Sequence, residues 1–263
     1  MNASASAHNT RTLTDSKTAA YQHRMSVSVD NRKWVLATRP EGVFNPEVDV
    51  KLIKEEIDLT AIADDEVLVR VGMLSVDAFI RTMLDKEAYH GSVDIGNLIP
   101  AIGYGTVVKC GTSIKGLKEG DLVSGMMGAQ QYTLSKQEGL MKNVLPRILP
   151  GVTPSMSLGL LNLTTGLTAY TGMFYVCSPP KKGETVVVSA AAGAVGSVAA
   201  QLAKISGARV VGIAGGEKKT QYLMQDLALD ACIDYKNTKI SFEDQLKAAC
   251  PDGVSSETLL FGD

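Results

Sequence analysis

The chain is poor in cysteine, carries almost no excess charge and has no long apolar run, and each shortage closes off a class of protein. Its four cysteines, Cys110, Cys177, Cys232 and Cys250, lie far apart, with neither paired spacing nor the density of a disulfide-stapled secreted domain. They read as reduced, mostly buried thiols of a cytoplasmic protein. The formal net charge is −2, which gives no electrostatic footprint for nucleic acid. No apolar stretch approaches the roughly 20 residues that cross a bilayer, and residues 1–24 lack the apolar core of a secretory signal. A soluble protein with no membrane partner is expected, its residues 1–24 forming a disordered or targeting extension.

What remains is 263 residues, 45% of them hydrophobic, enough for one large or two ordinary domains with real cores. The most informative stretch is Thr185-Val-Val-Val-Ser-Ala-Ala-Ala-Gly193-Ala194-Val195-Gly196, followed by the small, apolar run Ser197 to Ile205. It reads as a buried parallel strand, a tight glycine turn and a helix whose N-terminal amides can take a pyrophosphate. Gly193 lets the backbone approach a phosphate oxygen, and Gly196 lets the helix pack against the strand it has left. Ala191 stands where such a fingerprint usually has its first glycine. An ordinary strand-to-helix turn has the same look, so context decides. A second β-branched run, Ala208 to Ala214, and a third, Ala231 to Tyr235, come next, separated by a helical stretch from Glu217 to Ala228. That β-α-β-α-β order predicts the first half of a doubly wound sheet.

The tip of the second strand indicates which dinucleotide fits. A preference for NAD usually goes with Asp or Glu about 20 residues after the glycines; here the tip reads Ala214-Gly215-Gly216, with Lys218 and Lys219 in the next helical turn. Lysines are disfavoured at a helix N-terminus unless an anion sits there, so the pair fits the 2′-phosphate of NADP. Two solvated lysines beside Glu217 are the alternative. Upstream, Trp34 to Ala37, Val67 to Val71, Ile102 to Val108 and Leu122 to Ser124 are short β-type runs broken by Gly and Pro, which predicts a small barrel. From Thr153 to Val176 the chain turns helical, with Leu158, Leu161, Leu163 and Leu167 packing under the nucleotide domain. Gly166 to Tyr170 there offers backbone and hydroxyl groups, Thr168 among them, to a substrate.

These segments resemble a known family, the zinc-independent medium-chain dehydrogenases/reductases, and within it the NADPH-dependent alkenal and enone double-bond reductases. The residues that carry the likeness run from Asn31 to about Val254: NRKWVLATRP from Asn31, LSVDAFIR from Leu74 to Arg81, TGLTAY from Thr165 to Tyr170, and KKGETVVVSAAAGAVGSVAAQLAK from Lys181. The resemblance implies a GroES-like barrel domain (25–150) beside a Rossmann domain, here a partial one with its preceding helices (151–254), with NADPH and an α,β-unsaturated aldehyde or ketone in the cleft between them. It assigns the pyrophosphate to Gly193, Ala194, Val195 and Gly196, the 2′-phosphate to Lys219, and a further cofactor contact to Tyr235. Phe79, Arg81, Tyr104 and Thr168 are the expected pocket residues; no residue is assigned as catalytic. Zinc-dependent relatives need a Cys ligand where this chain has Asp77, a His-Glu pair where it has Gly103-Tyr104, and a four-cysteine lobe that is absent. No metal is therefore expected.

The sequence departs from the family twice. Phe79 stands where a tyrosine is common, keeping the ring and losing the hydroxyl. After Val254 the chain runs Ser255-Ser-Glu-Thr-Leu-Leu-Phe-Gly-Asp263 in place of a fourth strand and those beyond it. A truncated form is expected, with residues 255–263 a divergent tail, an exposed edge at Val186 to Val188, weak NADPH binding and slow or no turnover. Relatives are often dimers through the missing strands, so a homodimer stays open. A quinone reductase of the same superfamily and a catalytically dead nucleotide-binding protein are the alternatives.

Overall fold

The structure, a computed structural model, describes residues 28–89, 91–142 and 150–259. The expected extension at residues 1–24 lies outside them, as do residues 260–263 of the tail.

Short strands with frequent turns do form the barrel half. A five-stranded antiparallel sheet runs in the order β6-β3-β4-β5-β7, from β3 (Glu66–Leu74), β4 (Ile102–Cys110), β5 (Leu122–Met126), β6 (Tyr132–Lys136) and β7 (Leu140–Lys142). Its core is Val67, Val69, Val107, Val123, Met127 and Leu140. The hairpin of β1 (Ser28–Leu36) and β2 (Val50–Asp58) is bridged to this half by Lys33 with Gln130 and Val35 with Leu98. The short helix α1 (Ala78–Met83) comes after β3. Close strand approach explains one glycine here: a Cβ on Gly105 would lie 2.4 Å from Val69 Cγ1 and 2.6 Å from the Arg70 carbonyl oxygen.

The link to the second half is helical but irregular. Helices α2 (Pro154–Gly159) and α3 (Thr168–Thr171) are interleaved with π-helical turns at Leu163–Leu167 and Gly172–Val176. Leu158 is buried, as expected, but Leu161 and Leu167 are 45% and 46% exposed. The expected packing fails at Leu161 because it sits in the break between the α2 C-cap, Leu160, and the N-cap of the π-helical turn, Asn162, and at Leu167 because nine residues from Leu158 is about half a turn off its face. Ala169 and Met173 are buried instead and join the core of the nucleotide half.

That half is a parallel sheet in the order β10-β9-β8-β11, with β8 (Thr185–Val188), β9 (Arg209–Ala214), β10 (Ala231–Asp234) and β11 (Ser256–Leu259). In order of appearance this is 3-2-1-4, the doubly wound pattern, which places a switch point between β8 and β11. The helix α4 (Ala194–Ile205) packs one face through Ala199, Ala200 and Ala203 against Val186, Val188 and Val210. On the other face α6 (Phe242–Ala249) brings Leu246 and Ala249 to Val187, Val211 and Ile233. Between β9 and β10 lies α5 (Glu217–Gln221) with a π-helical turn, Tyr222–Asp226.

The expected exposed edge at Val186 to Val188 is corrected. Ser256 pairs with Val186 and Leu259 with Val188, the Ser255 amide donates to the Thr185 carbonyl at 3.1 Å, and the Thr185 amide donates to Ser255 Oγ at 3.2 Å. The first part of the divergent tail thus occupies the fourth-strand position. A second correction concerns the thiols: all four are free, but only Cys250 is buried, the other three being partly exposed. No helix among the described residues is long and apolar enough to cross a membrane.

Candidate active site

The glycine turn lies at the switch point. After β8 the chain passes through Ala190 in a left-handed conformation, φ 46°, and the Gly193 amide closes the turn on the Ala190 carbonyl at 2.8 Å. Gly193 then caps α4 with no side-chain bond and no acidic residue in the first turn. The amides of Ala194, Val195 and Gly196 precede the first intrahelical donor, Ser197, which bonds the Gly193 carbonyl at 2.9 Å, so they lack helical acceptors. An uncapped helix start with no local anion suits an anionic group such as a diphosphate. Gly196 is held to glycine by space, since a Cβ there would lie 2.3 Å from the Ala190 carbonyl oxygen.

At the far end of β9 the tip is equally bare of side chains. Gly216 has φ 92°, and the Tyr235 ring lies so close over Gly215 that an added Cβ would meet it at 2.5 Å. Lys218 and Lys219 come next, in α5.

A cleft of about 900 Å³ opens between the two halves. The barrel side contributes Met73 to Phe79, Met83, Ile102 and Met126; the helical link contributes Ser155, Leu158, Thr164, Thr165 and Thr168; and α4 contributes Ala194 and Val195. The wall is mostly apolar, with hydroxyls at intervals, a composition that suits a small organic ligand. Asp77 ties the two sides together. Thr164 Oγ1 donates to its Oδ1 at 2.6 Å, and its Oδ2 is buried with no hydrogen-bond partner among the described residues.

The sequence-expected residues fall into four groups. Phe79, Thr168, Ala194 and Val195 meet in the cleft wall. Gly193 and Gly196 flank α4's first turn, while Lys219 and Tyr235 stand at the β9 tip. Arg81 and Tyr104 are engaged elsewhere: Arg81 pairs with Asp85 at 2.7 Å and donates to the Gly42 carbonyl at 2.9 Å, and the buried Tyr104 hydroxyl bonds Ser157 Oγ at 2.7 Å. Sequence reasoning missed Met73, Ile102, Met126 and Leu158 as cleft residues, and missed the Asp77–Thr164 bond. Their strands and helices meet only in the fold, so no local spacing signals them. Among the described residues no group of three or more His, Cys, Asp or Glu side chains is placed to hold a metal ion.

Comparison with known proteins agrees with this arrangement. Residues 32–143 match the family described as the N-terminal domain of oxidoreductase, and residues 194–256 match the one described as zinc-binding dehydrogenase. An NADPH-dependent curcumin reductase of Escherichia coli is 38% identical over 226 residues, covering 85% of this chain and 61% of the relative. Prostaglandin reductase 1 of Mus musculus is 37% identical, covering 86% and 64%, and an NADP-dependent 2-alkenal reductase of Nicotiana tabacum is 33% identical, covering 88% and 65%. The crystal structure of CurA from Vibrio vulnificus in complex with NADPH superposes with a TM-score of 0.72 at 35% identity, over 85% of this chain and 63% of that one. The chain thus spans somewhat over three-fifths of the length of the relatives it matches. The barrel, the 3-2-1-4 sheet and the glycine turn concur with these likenesses, and the chain belongs to the zinc-independent medium-chain dehydrogenase/reductase family.

Proposed function

We propose that the protein is an NADPH-dependent reductase of the C=C bond in α,β-unsaturated aldehydes and ketones, working without zinc, with residues 25–150 as its barrel domain and 151–254 as its nucleotide domain. The observation that carries this reading is the juxtaposition of the α4 start with a mostly apolar cleft, Ala194 and Val195 being shared by both. The amides of Ala194, Val195 and Gly196 would hold the pyrophosphate, with Gly193 giving it room. Lys219 would meet the 2′-phosphate and Tyr235 would cover the adenosine end. Held by these residues, NADPH would supply the hydride that reduces the β-carbon of the enone, being itself oxidised to NADP⁺.

The chain's own work is positioning and charge stabilisation. Met73, Met126 and Leu158 would exclude water and hold an apolar tail, and Phe79 would pack beside the conjugated system. As hydride arrives, negative charge moves to the carbonyl oxygen, and a donor aimed there lowers the barrier. Phe79 has no hydroxyl to give, so Ser75, Thr165 or Thr168 on the cleft wall takes that role in this proposal. A proton from water then completes the α-carbon, which balances the two-electron reduction. We take the protein to be cytoplasmic, its free thiols suiting a reducing compartment, and its partner to be the small-molecule enal or enone.

The test is titration of the purified chain with NADPH and NADH, followed by fluorescence of the bound nucleotide. Binding of NADPH in preference to NADH is expected; a folded sample with no preference overturns the reading. Oxidation of bound NADPH by a medium-chain enal but not by a quinone then distinguishes the enone reductase from the quinone reductase.

A further inference from the structure

The tip of β9 is built from two adjacent glycines, and glycine supplies no stiffness of its own. What holds Gly215 and Gly216 in place comes from the neighbouring strand. Asp234, at the end of β10, accepts from the Gly216 amide through Oδ1 at 2.8 Å and through the same oxygen from the Lys236 amide at 2.9 Å. Asp234 is itself gripped from α6: its amide donates to Gln245 Oε1 at 3.0 Å, and Gln245 Nε2 donates to its carbonyl at 3.1 Å and to that of Ile240 at 3.1 Å. The Tyr235 amide bonds the Ala214 carbonyl at 3.3 Å, which sets the ring over Gly215. A chain of side-chain bonds therefore runs from α6 through β10 to the β9 tip.

The charge arrangement is informative. A carboxylate on the tip of the second strand serves the ribose hydroxyls of an unphosphorylated dinucleotide and repels a phosphate. This carboxylate comes from the third strand, and one oxygen is committed to two backbone amides, which with the Lys236 charge hold its pKa below the usual carboxylate range. It stabilises the turn in place of reading the sugar.

Resting on the nucleotide reading above, we propose that Asp234, oriented by Gln245, is the positioning residue that holds the Gly215–Gly216 tip and Tyr235 in the shape that selects a dinucleotide carrying a 2′-phosphate. Asp234 does not itself touch the phosphate.

The experiment measures NADPH and NADH dissociation constants by bound-nucleotide fluorescence for the full chain and for Asp234→Ala, Asp234→Asn and Gln245→Ala. Asp234→Ala is expected to weaken NADPH about tenfold, the worth of about one hydrogen bond to an ion, and to leave NADH within about twofold. Asp234→Asn keeps an acceptor oxygen and is expected to restore most of the selectivity. Gln245→Ala reaches the same turn from α6, so it carries the test if Asp234→Ala does not fold, and it is expected to lower selectivity several-fold. Equal weakening of both nucleotides, or greater loss of NADH, overturns the proposal. Selectivity present in the wild type and surviving in both alanine variants overturns it while leaving the nucleotide reading intact. A wild type without selectivity overturns both.

Discussion

Replacing Gly196 by alanine puts the turn geometry to a test of sign. In an unconstrained helix the change stabilises, because alanine is favoured over glycine by about 1 kcal/mol. Here a Cβ would stand 2.3 Å from the Ala190 carbonyl oxygen, 2.8 Å from its carbonyl carbon and 3.0 Å from Ala191 Cα. All three are backbone atoms of the turn that closes β8, so no side chain can swing aside. Relief to ordinary contact requires α4 to withdraw by about 1 Å, and a gap of that size forfeits a quarter to a half of each contact's attraction. The contacts at risk are those of the fully buried Ala199, Ala200 and Ala203 against Val186, Val188 and Val210. Overpacking costs about 1–3 kcal/mol, and against three unyielding backbone atoms the upper part of that range applies, about 2–3 kcal/mol, so after the propensity gain the variant should be less stable by about 1–2 kcal/mol. Gly193→Ala is the control: its Cβ would meet only the Ala190 oxygen, at 3.1 Å, and its φ of −81° suits alanine. Urea unfolding midpoints at constant m-value report the difference. A Gly196→Ala protein as stable as the wild type or more so would refute the argument, because it would mean the turn yields without cost.

The remaining predictions concern single side chains. Thr164→Val keeps the shape but removes the 2.6 Å bond to Asp77, whose other oxygen is already buried and unpartnered among the described residues; a loss of about 2 kcal/mol is expected, and unchanged thermal unfolding would contradict it. Asp230 accepts from the Val210 amide at 2.7 Å and pairs with Lys204 at 3.0 Å. Partial burial pushes its carboxyl up, but the amide and the lysine outweigh this and leave it below the ordinary value. Its stabilising contribution is therefore complete above about pH 4, the unfolded range, and is lost as pH falls through the folded value. Asp230→Asn should flatten that acid limb in urea midpoints taken from about pH 6 down to pH 3. Burial first, and the Asp234 charge second, push the Cys232 thiol from 9.0 up to about 11; the native protein should carry about a hundredfold less thiolate there near neutral pH than an unshifted thiol. Site-resolved alkylation followed by mass spectrometry checks this, and native labelling of Cys232 as fast as in urea would refute it.

The two walls of the cleft differed in how far they could be read from sequence, and the reason is the range over which each is encoded. The β8 to β10 segment was legible because strand, turn and helix succeed one another within a few tens of residues and each has its own local pattern: four buried β-type residues at Thr185–Val188, a glycine where space demands it, and alanines at helical spacing. Strands β2, β6 and β7 were not, because VKLIKEEID, YTLSK and LMK are charged or short and become strands by pairing with distant partners. β11 is the extreme case. Its residues show no apolar alternation, and it is a strand because Val186 and Val188 offer an unpaired edge about 70 residues earlier.

The barrel and link side of the cleft is harder still. Met73 belongs to β3, Ile102 to β4, Met126 to β5 and Leu158 to α2, so each looks like an ordinary core residue within its own element. In the helical link, the leucine reading misled: Leu161 and Leu167 end up exposed, Leu161 because it lies in the break between α2 and the π-helical turn at Leu163–Leu167, and Leu167 because it stands nine residues from Leu158, about half a turn off its face. Thr164, Thr165 and Thr168 face the cleft, and Thr164 is bonded to Asp77. At helical spacing Thr165 falls seven residues after Leu158 and shares its face, so the hydroxyls of this wall were there to be read, hidden only by taking the leucines as the whole pattern.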